Sequence, residues 1–124
     1  MYEDSVLPVV EAGLAEIIDG AGAVADSLVL RPTSGHTVGH LAVQLAANGD
    51  EALFTGDLMH SPLQVCRPEW NRVFCEDAEA ARISRRWALE HAAERQVTVF
   101  TAHFGGSSAG HVQRKGERFA WTGA

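Results

Sequence analysis

The stretch from Leu41 to Thr55 constrains the fold more than any other part of the sequence. Leu41, Val43 and Leu45 alternate with Ala42, Gln44 and Ala46, the two-residue period of a strand with two different faces. Asn48-Gly49 follows, and both residue types accept the positive φ that a two-residue hairpin turn demands. Glu51 to Thr55 is then the returning strand. With Asn48 and Gly49 as the turn, Ala47 pairs with Asp50, and counting back sets Leu41 opposite Gly56. The hairpin therefore carries Asp57 toward His40 and toward the loop that holds His36.

The flanking segments predict a mixed α and β chain. Val6 to Ile18 reads as a helix, with Pro8 in its first turn, an apolar stripe of Val9, Leu14, Ile17 and Ile18, and Gly20 as its stop. Ser27 to Leu30 is a short strand that Pro32 breaks. Ser61 to Cys75, with Pro62, Pro68, Trp70 and Asn71, reads as a long loop. Asp77 to Arg95 is a second helix, capped by Asp77. Val97 to Ala102 has the apolar run of a buried strand. Gly105 to Ser108 is a loop, and Arg118 to Trp121 a last short strand.

The 124 residues suit one domain, and 46% hydrophobic residues suffice for a core. A net charge of −6 with scattered basic residues argues against nucleic acid as a partner. No apolar run reaches the roughly 20 residues that span a bilayer. Met1-Tyr2-Glu3-Asp4 lacks the basic start of a secretory signal, so the expected location is cytoplasmic. Cys66 and Cys75 are read as reduced thiols, with a disulfide closing the short loop as the alternative. Arg82, Arg85 and Arg86 are read as a solvated helix face with Glu79 and Glu90.

Chemistry concentrates on the histidines. Of six, His36, His40, His60 and His103 lie at element ends beside Gly, Thr or Asp. Imidazole and carboxylate are the ligands of zinc and its neighbours, and element ends are where a scaffold aims them at one point. In Ser34-Gly35-His36-Thr37-Val38-Gly39-His40 the two glycines favour a loop over a helix, so the two histidines are expected to do different work. A glycine-rich turn with two polar histidines explains the strip equally well by itself. Asp57 and His103, each ending a strand, are alone no more than a turn residue and a hydrogen-bonded histidine. Together they make a metal site the better explanation. His91 reads as a surface or packing residue of the second helix. Trp70 and Phe74 either pack in the core or line a pocket.

The set Gly35-His36-Thr37-Val38-Gly39-His40, Thr55-Gly56-Asp57 and Ala102-His103-Phe104 resembles the second half of the metallo-β-lactamase superfamily. The stretches Glu3 to Leu14, Asp57 to Val65 and Gly110-His111-Val112 are similar to the branch containing methyl parathion hydrolase and N-acyl homoserine lactonase-like proteins. The resemblance implies an α/β (α+β) fold: half of an αββα sandwich, a mixed sheet with helices on one face. It implies a two-metal site for zinc or another divalent transition metal, with His36 on one metal, His103 on the other and Asp57 bridging both. A hydroxide held between the metals would attack an ester, lactone or phosphoester, which makes Asp57 the catalytic carboxylate. His40 would support the site. His60 would orient Asp57, contact substrate or make a structural hydrogen bond, and His111 would line the mouth or sit in solvent.

The family's first motif, H-x-H-x-D-H, is absent, since no histidine precedes His36. The resemblance then implies one imidazole per metal plus a shared carboxylate, weak metal binding, and little activity from this chain alone. The expected partner is a second copy or another chain that supplies the missing half, with a small molecule as substrate. The alternative is a non-catalytic half-domain that works by association. Leu41, Val43, Leu45 and Phe54, or their neighbours on the other face, would then form an uncovered apolar patch.

Overall fold

The computed structural model describes residues 2–18 and 20–124. The chain runs through β1 (Gly22–Ala25), β2 (Leu28–Pro32), β3 (Leu41–Ala47), β4 (Asp50–Phe54), β5 (Thr98–Phe100), β6 (Ala109–Lys115) and β7 (Arg118–Gly123). The strands lie side by side in chain order in one sheet. Every neighbour pair is antiparallel except β4 with β5. That parallel pair needs a crossover, and the chain between supplies α2 (Leu63–Cys66) and α3 (Ala78–Arg95). The sheet is therefore mixed.

The hairpin has the predicted register, with Ala47 opposite Asp50 and Val43 opposite Phe54. Asn48 and Gly49 adopt φ of 54° and 90°, as their turn requires. The alternation sorts the side chains into two faces. Ala42, Leu53, Val99, Val112 and Phe119 are buried against Val65, Ala88, Leu89 and Ala92 of the helices, in one core. Leu28, Leu41, Val43 and Leu45 point to the other face and are half-buried. Phe54 and Phe100 lie there too, stacked at 4.8 Å and exposed by 39% and 36%.

α3 starts where Asp77 Oδ1 accepts the amide protons of Glu79 and Ala80, both at 3.0 Å. It ends at Gln96, in the left-handed region at φ 56°. Its buried stripe is Ala81, Arg85, Ala88, Leu89 and Ala92. Arg82 pairs with Glu79 and Arg86 with Glu90 on the outside, but Arg85 is 1% exposed and so does not belong to the solvated face the sequence suggested.

Four other expectations are corrected. The N-terminal helix is shorter: π-helical turns at Tyr2–Val6 lead into α1 (Leu7–Glu11), and Gly13 at φ 68° turns the chain. Leu14, Ile17 and Ile18 are exposed and pack on nothing that would hold a longer helix together. β2 continues through Pro32, which pairs with Leu41, instead of breaking before it. The long loop contains α2. Strands β1 and β6 were not anticipated, and His111 lies on β6.

Glu51 of β4 ties the hairpin to α3. It pairs with His91, and Arg95 Nε donates to its Oε2 at 2.6 Å. Burial pushes its carboxyl up, but the hydrogen bonds and charges of His91 and Arg95 outweigh that and hold it below the usual carboxylate range. A depressed folded pKa means that the contribution is complete above the unfolded value, about 4.3, and is lost as pH falls through the folded one. Glu51→Gln should therefore cost about 1–2 kcal/mol at pH 7, the scale of hydrogen bonds to a charged group. The cost should shrink as pH falls below about 4. Urea unfolding from pH 7 to pH 3 checks this; a cost independent of pH would show that the carboxylate charge is not what matters.

Candidate metal centre

Two loops and two strand ends build the centre. The His36 loop is clamped to the start of α3. Asp77 N–H donates to Gly35 O at 3.0 Å, Glu76 N–H to His36 O at 3.2 Å, and Ser84 Oγ to Ser34 O at 2.8 Å. Val38 N–H donates to Glu76 Oε2 at 2.9 Å. Gly35 has φ 133°, and a Cβ there would lie 2.1 Å from Ala81 N. Only glycine lets the loop and the helix approach so closely.

Asp57 follows β4 in a short 3₁₀ turn, Gly56–Leu58. Its amide donates to His40 Nε2 at 3.1 Å, while His40 Nδ1 meets the buried Thr33 hydroxyl at 2.8 Å. Since Nε2 accepts, His40 is neutral with its proton on Nδ1, which donates to Thr33. Burial lowers its pKa, and the charge of Asp57 opposes that only in part. Gly56 at φ 51° lets the His40 ring sit close, since a Cβ there would lie 3.0 Å from Nε2. His40 thus positions Asp57 from behind.

Around the Asp57 carboxylate stand three imidazoles. His36, Asp57 and His60 each offer a ligand atom, all within 4.8 Å of one another. His60 Nε2 is 3.9 Å from Asp57 Oδ1. His103 Nε2 hydrogen-bonds the same oxygen, and its ring stacks on that of His60 at 4.5 Å. The His36 and His60 rings are 5.0 Å apart. The His103 hydrogen bond, with the charges of His103, His36 and His60, holds Asp57 below the usual carboxylate range against its desolvation. Burial lowers His60, and neighbouring His103 and His36 add to the effect. An ionised carboxylate beside a neutral imidazole is the protonation state in which these groups coordinate metals.

The residues fit a divalent transition metal on their own evidence. His36 Nδ1 is buried and has no hydrogen-bond partner, and three imidazoles with one carboxylate are the donors such ions take. The ligand atoms that lie within 4.8 Å of one another are those of His36, Asp57 and His60, whose role the sequence left open; His103 joins through its hydrogen bond to Asp57, and His40 sits behind. His111 stands apart. It is exposed on β6 opposite Thr98, at the far end of β5 from His103. Trp70 and Phe74 are both exposed, so neither packs in the core. Cys66 and Cys75 are free thiols.

No protein-family profile and no curated protein matches the sequence. Solved structures do match. AidC, a dizinc quorum-quenching lactonase in complex with a product, superposes with a TM-score of 0.84 at 21% identity, over 96% of this chain and 40% of that one. The hydrolase AbOPH of the β-lactamase superfamily gives 0.84 at 22%, over 97% and 42%. A probable metal-dependent hydrolase from Staphylococcus aureus gives 0.77 at 15%, over 91% and 41%. The fold is accordingly that of half a metallo-β-lactamase sandwich, and the chain spans about 40% of the length of these neighbours. No helix among the described residues is long and apolar enough to cross a membrane.

Proposed function

We propose that this chain contributes His36, Asp57, His60 and His103 to the centre of a metal-dependent hydrolase acting on a small ester, lactone or phosphoester. The observation that carries the reading is the gathering within 4.8 Å of ligand atoms from His36 in one loop and from Asp57 and His60 in the segment after β4. Zinc is the first choice of cation, as in the dizinc neighbour. When bound, the metal polarises the scissile group and lowers the pKa of water. This chain's own residues hold the centre in place. His40 fixes the backbone of Asp57, His103 and His60 flank its carboxylate, and the Gly35 loop aims His36. The two free thiols suit a reducing compartment, and we place the protein in the cytoplasm.

A segment with further ligands completes the site in this reading, laid on the open face of the sheet by another part of the same protein, a second copy or another chain. The exposed Phe54–Phe100 stack and the half-buried Leu28, Leu41, Val43 and Leu45 support such a cover, because apolar faces of this kind mark interfaces. Alone, the 124-residue chain should self-associate on this face, and Phe54→Glu with Phe100→Glu should render it monomeric in sedimentation. It should not turn over lactone, ester or phosphotriester substrates with zinc, manganese or cobalt. A half-domain bearing H-x-H-x-D-H, added in trans, should restore turnover that Asp57→Ala abolishes. A stable, metal-loaded pair without turnover would leave the non-catalytic half-domain as the correct reading.

A further inference from the structure

Arg85 is a guanidinium that is 1% exposed inside α3, and none of its hydrogen-bond partners among the described residues is a carboxylate. Nε donates to Leu58 O at 3.2 Å. Nη1 donates to Pro68 O at 2.6 Å and to Trp70 O at 3.0 Å. Both Nη atoms reach Asn71 Oδ1, at 3.2 and 3.1 Å. Burying a charge against neutral acceptors is expensive, and an apolar side chain of the same size would fill the space at lower cost. What the guanidinium gains is geometry: its fork joins Leu58, directly after Asp57, to the far arm of the same loop at 68–71. Asn71 extends the tie to α3 by donating to Ala78 O at 2.7 Å.

A second buried side chain links this frame to a histidine. Gln64 is 5% exposed on α2. Its Nε2 donates to Trp70 O at 2.9 Å, the same carbonyl that Arg85 holds. Its Oε1 accepts the His60 amide proton at 2.7 Å. A continuous path of hydrogen bonds thus runs from Arg85 through Trp70 O and Gln64 to the His60 backbone.

We propose that Arg85 and Gln64 are positioning residues for the metal centre, locking the segment from Leu58 to Asn71 so that His60 meets Asp57 at ligand spacing. The proposal rests on the metal-centre reading above. His60 sits on a loop, and a loop side chain ligates well only if its backbone is fixed. Outer partners of this kind typically govern metal affinity by 10–100-fold.

The test uses Gln64→Met and Arg85→Met in the full chain, with Val112→Ala as a core variant that lowers stability away from the loop. Amide hydrogen exchange at His60 and titration with cobalt(II), followed by its visible absorption, are the readouts. Gln64→Met should speed His60 exchange about tenfold and weaken cobalt binding about tenfold, with an altered absorption band. Arg85→Met should do the same where it folds, and Val112→Ala should do neither. A folded Gln64→Met with His60 exchange and cobalt affinity unchanged overturns the proposal, as does an equal effect from Val112→Ala. If the unsubstituted chain takes up no cobalt even with the H-x-H-x-D-H half-domain added, the metal-centre reading fails, and His60 exchange alone then decides whether Gln64 and Arg85 hold the segment.

Discussion

Gly35→Ala is expected to destabilise the chain by about 4 kcal/mol, the sum of a strained backbone and an overpacked contact, each about 1–3 kcal/mol. The first part comes from φ 133°, which an L side chain rarely adopts. The second comes from a Cβ placed 2.1 Å from Ala81 N and 2.4 Å from Ala81 Cα. Those atoms are helix backbone, so they cannot rotate away as a flexible side chain would. Relief requires the His36 loop to part from α3 and break the Asp77–Gly35 and Ser84–Ser34 hydrogen bonds. Urea denaturation measures the loss, and metal titration of the surviving folded fraction should show weaker binding, because His36 moves with the loop. A loss below about 1 kcal/mol, the size of an ordinary surface change, would mean that the loop and helix are less tightly joined than the structure has them.

Asp57→Ala should remove metal binding almost completely, with affinity falling at least about 100-fold, more than for loss of a supporting residue. The reason is centrality. Asp57 supplies the one carboxylate at the centre among the described residues, and His60 and His103 both approach its Oδ1. Without it the imidazoles have neither a shared anionic ligand nor a common anchor. Asp57→Asn keeps the shape and one neutral oxygen, so it should retain part of the affinity. Calorimetric titration with zinc at pH 7.5 checks both variants. Equal binding by Asp57→Ala would place the metal elsewhere and dismiss the centre described above.

The nearness of Asp57 to His40 was legible in the sequence, while parts of the fold were not. The Asn48-Gly49 turn set the hairpin register, and the register alone sufficed to bring Asp57 beside His40. Strand β6 escaped because its pattern is weak: it opens Ala109-Gly110 and ends Gln113-Arg114-Lys115. Gly110 makes room for the Trp121 ring, whose Cζ2 would lie 2.5 Å from a Cβ there. That requirement is tertiary and leaves no local trace. β1 is a short, wholly exposed edge strand without alternation. The N-terminal helix failed for the opposite reason, since its apolar stripe was real but its residues Val9, Leu14, Ile17 and Ile18 are all left exposed. Arg85 was misread as solvated, although its place in the helical period was a signal against that. It occupies an apolar position in the period Ala81, Arg85, Ala88, Leu89, Ala92, and a charge on such a stripe signals a buried role.

The order of the strands bears on how the molecule assembles. Six of the strand pairs join neighbours in sequence, and five of these are joined by short connections or turns, so β1 to β4 and β5 to β7 can each zip up locally. The β4–β5 pairing instead waits for the whole helical crossover to fold between Phe54 and Thr98. Asp57 follows β4 and His103 follows β5, so their contact forms only when that seam closes. A cation that prefers the gathered ligands would then act as a latch on the slowest step. It would stabilise the closed seam and retard unfolding, with little influence on how fast either meander forms.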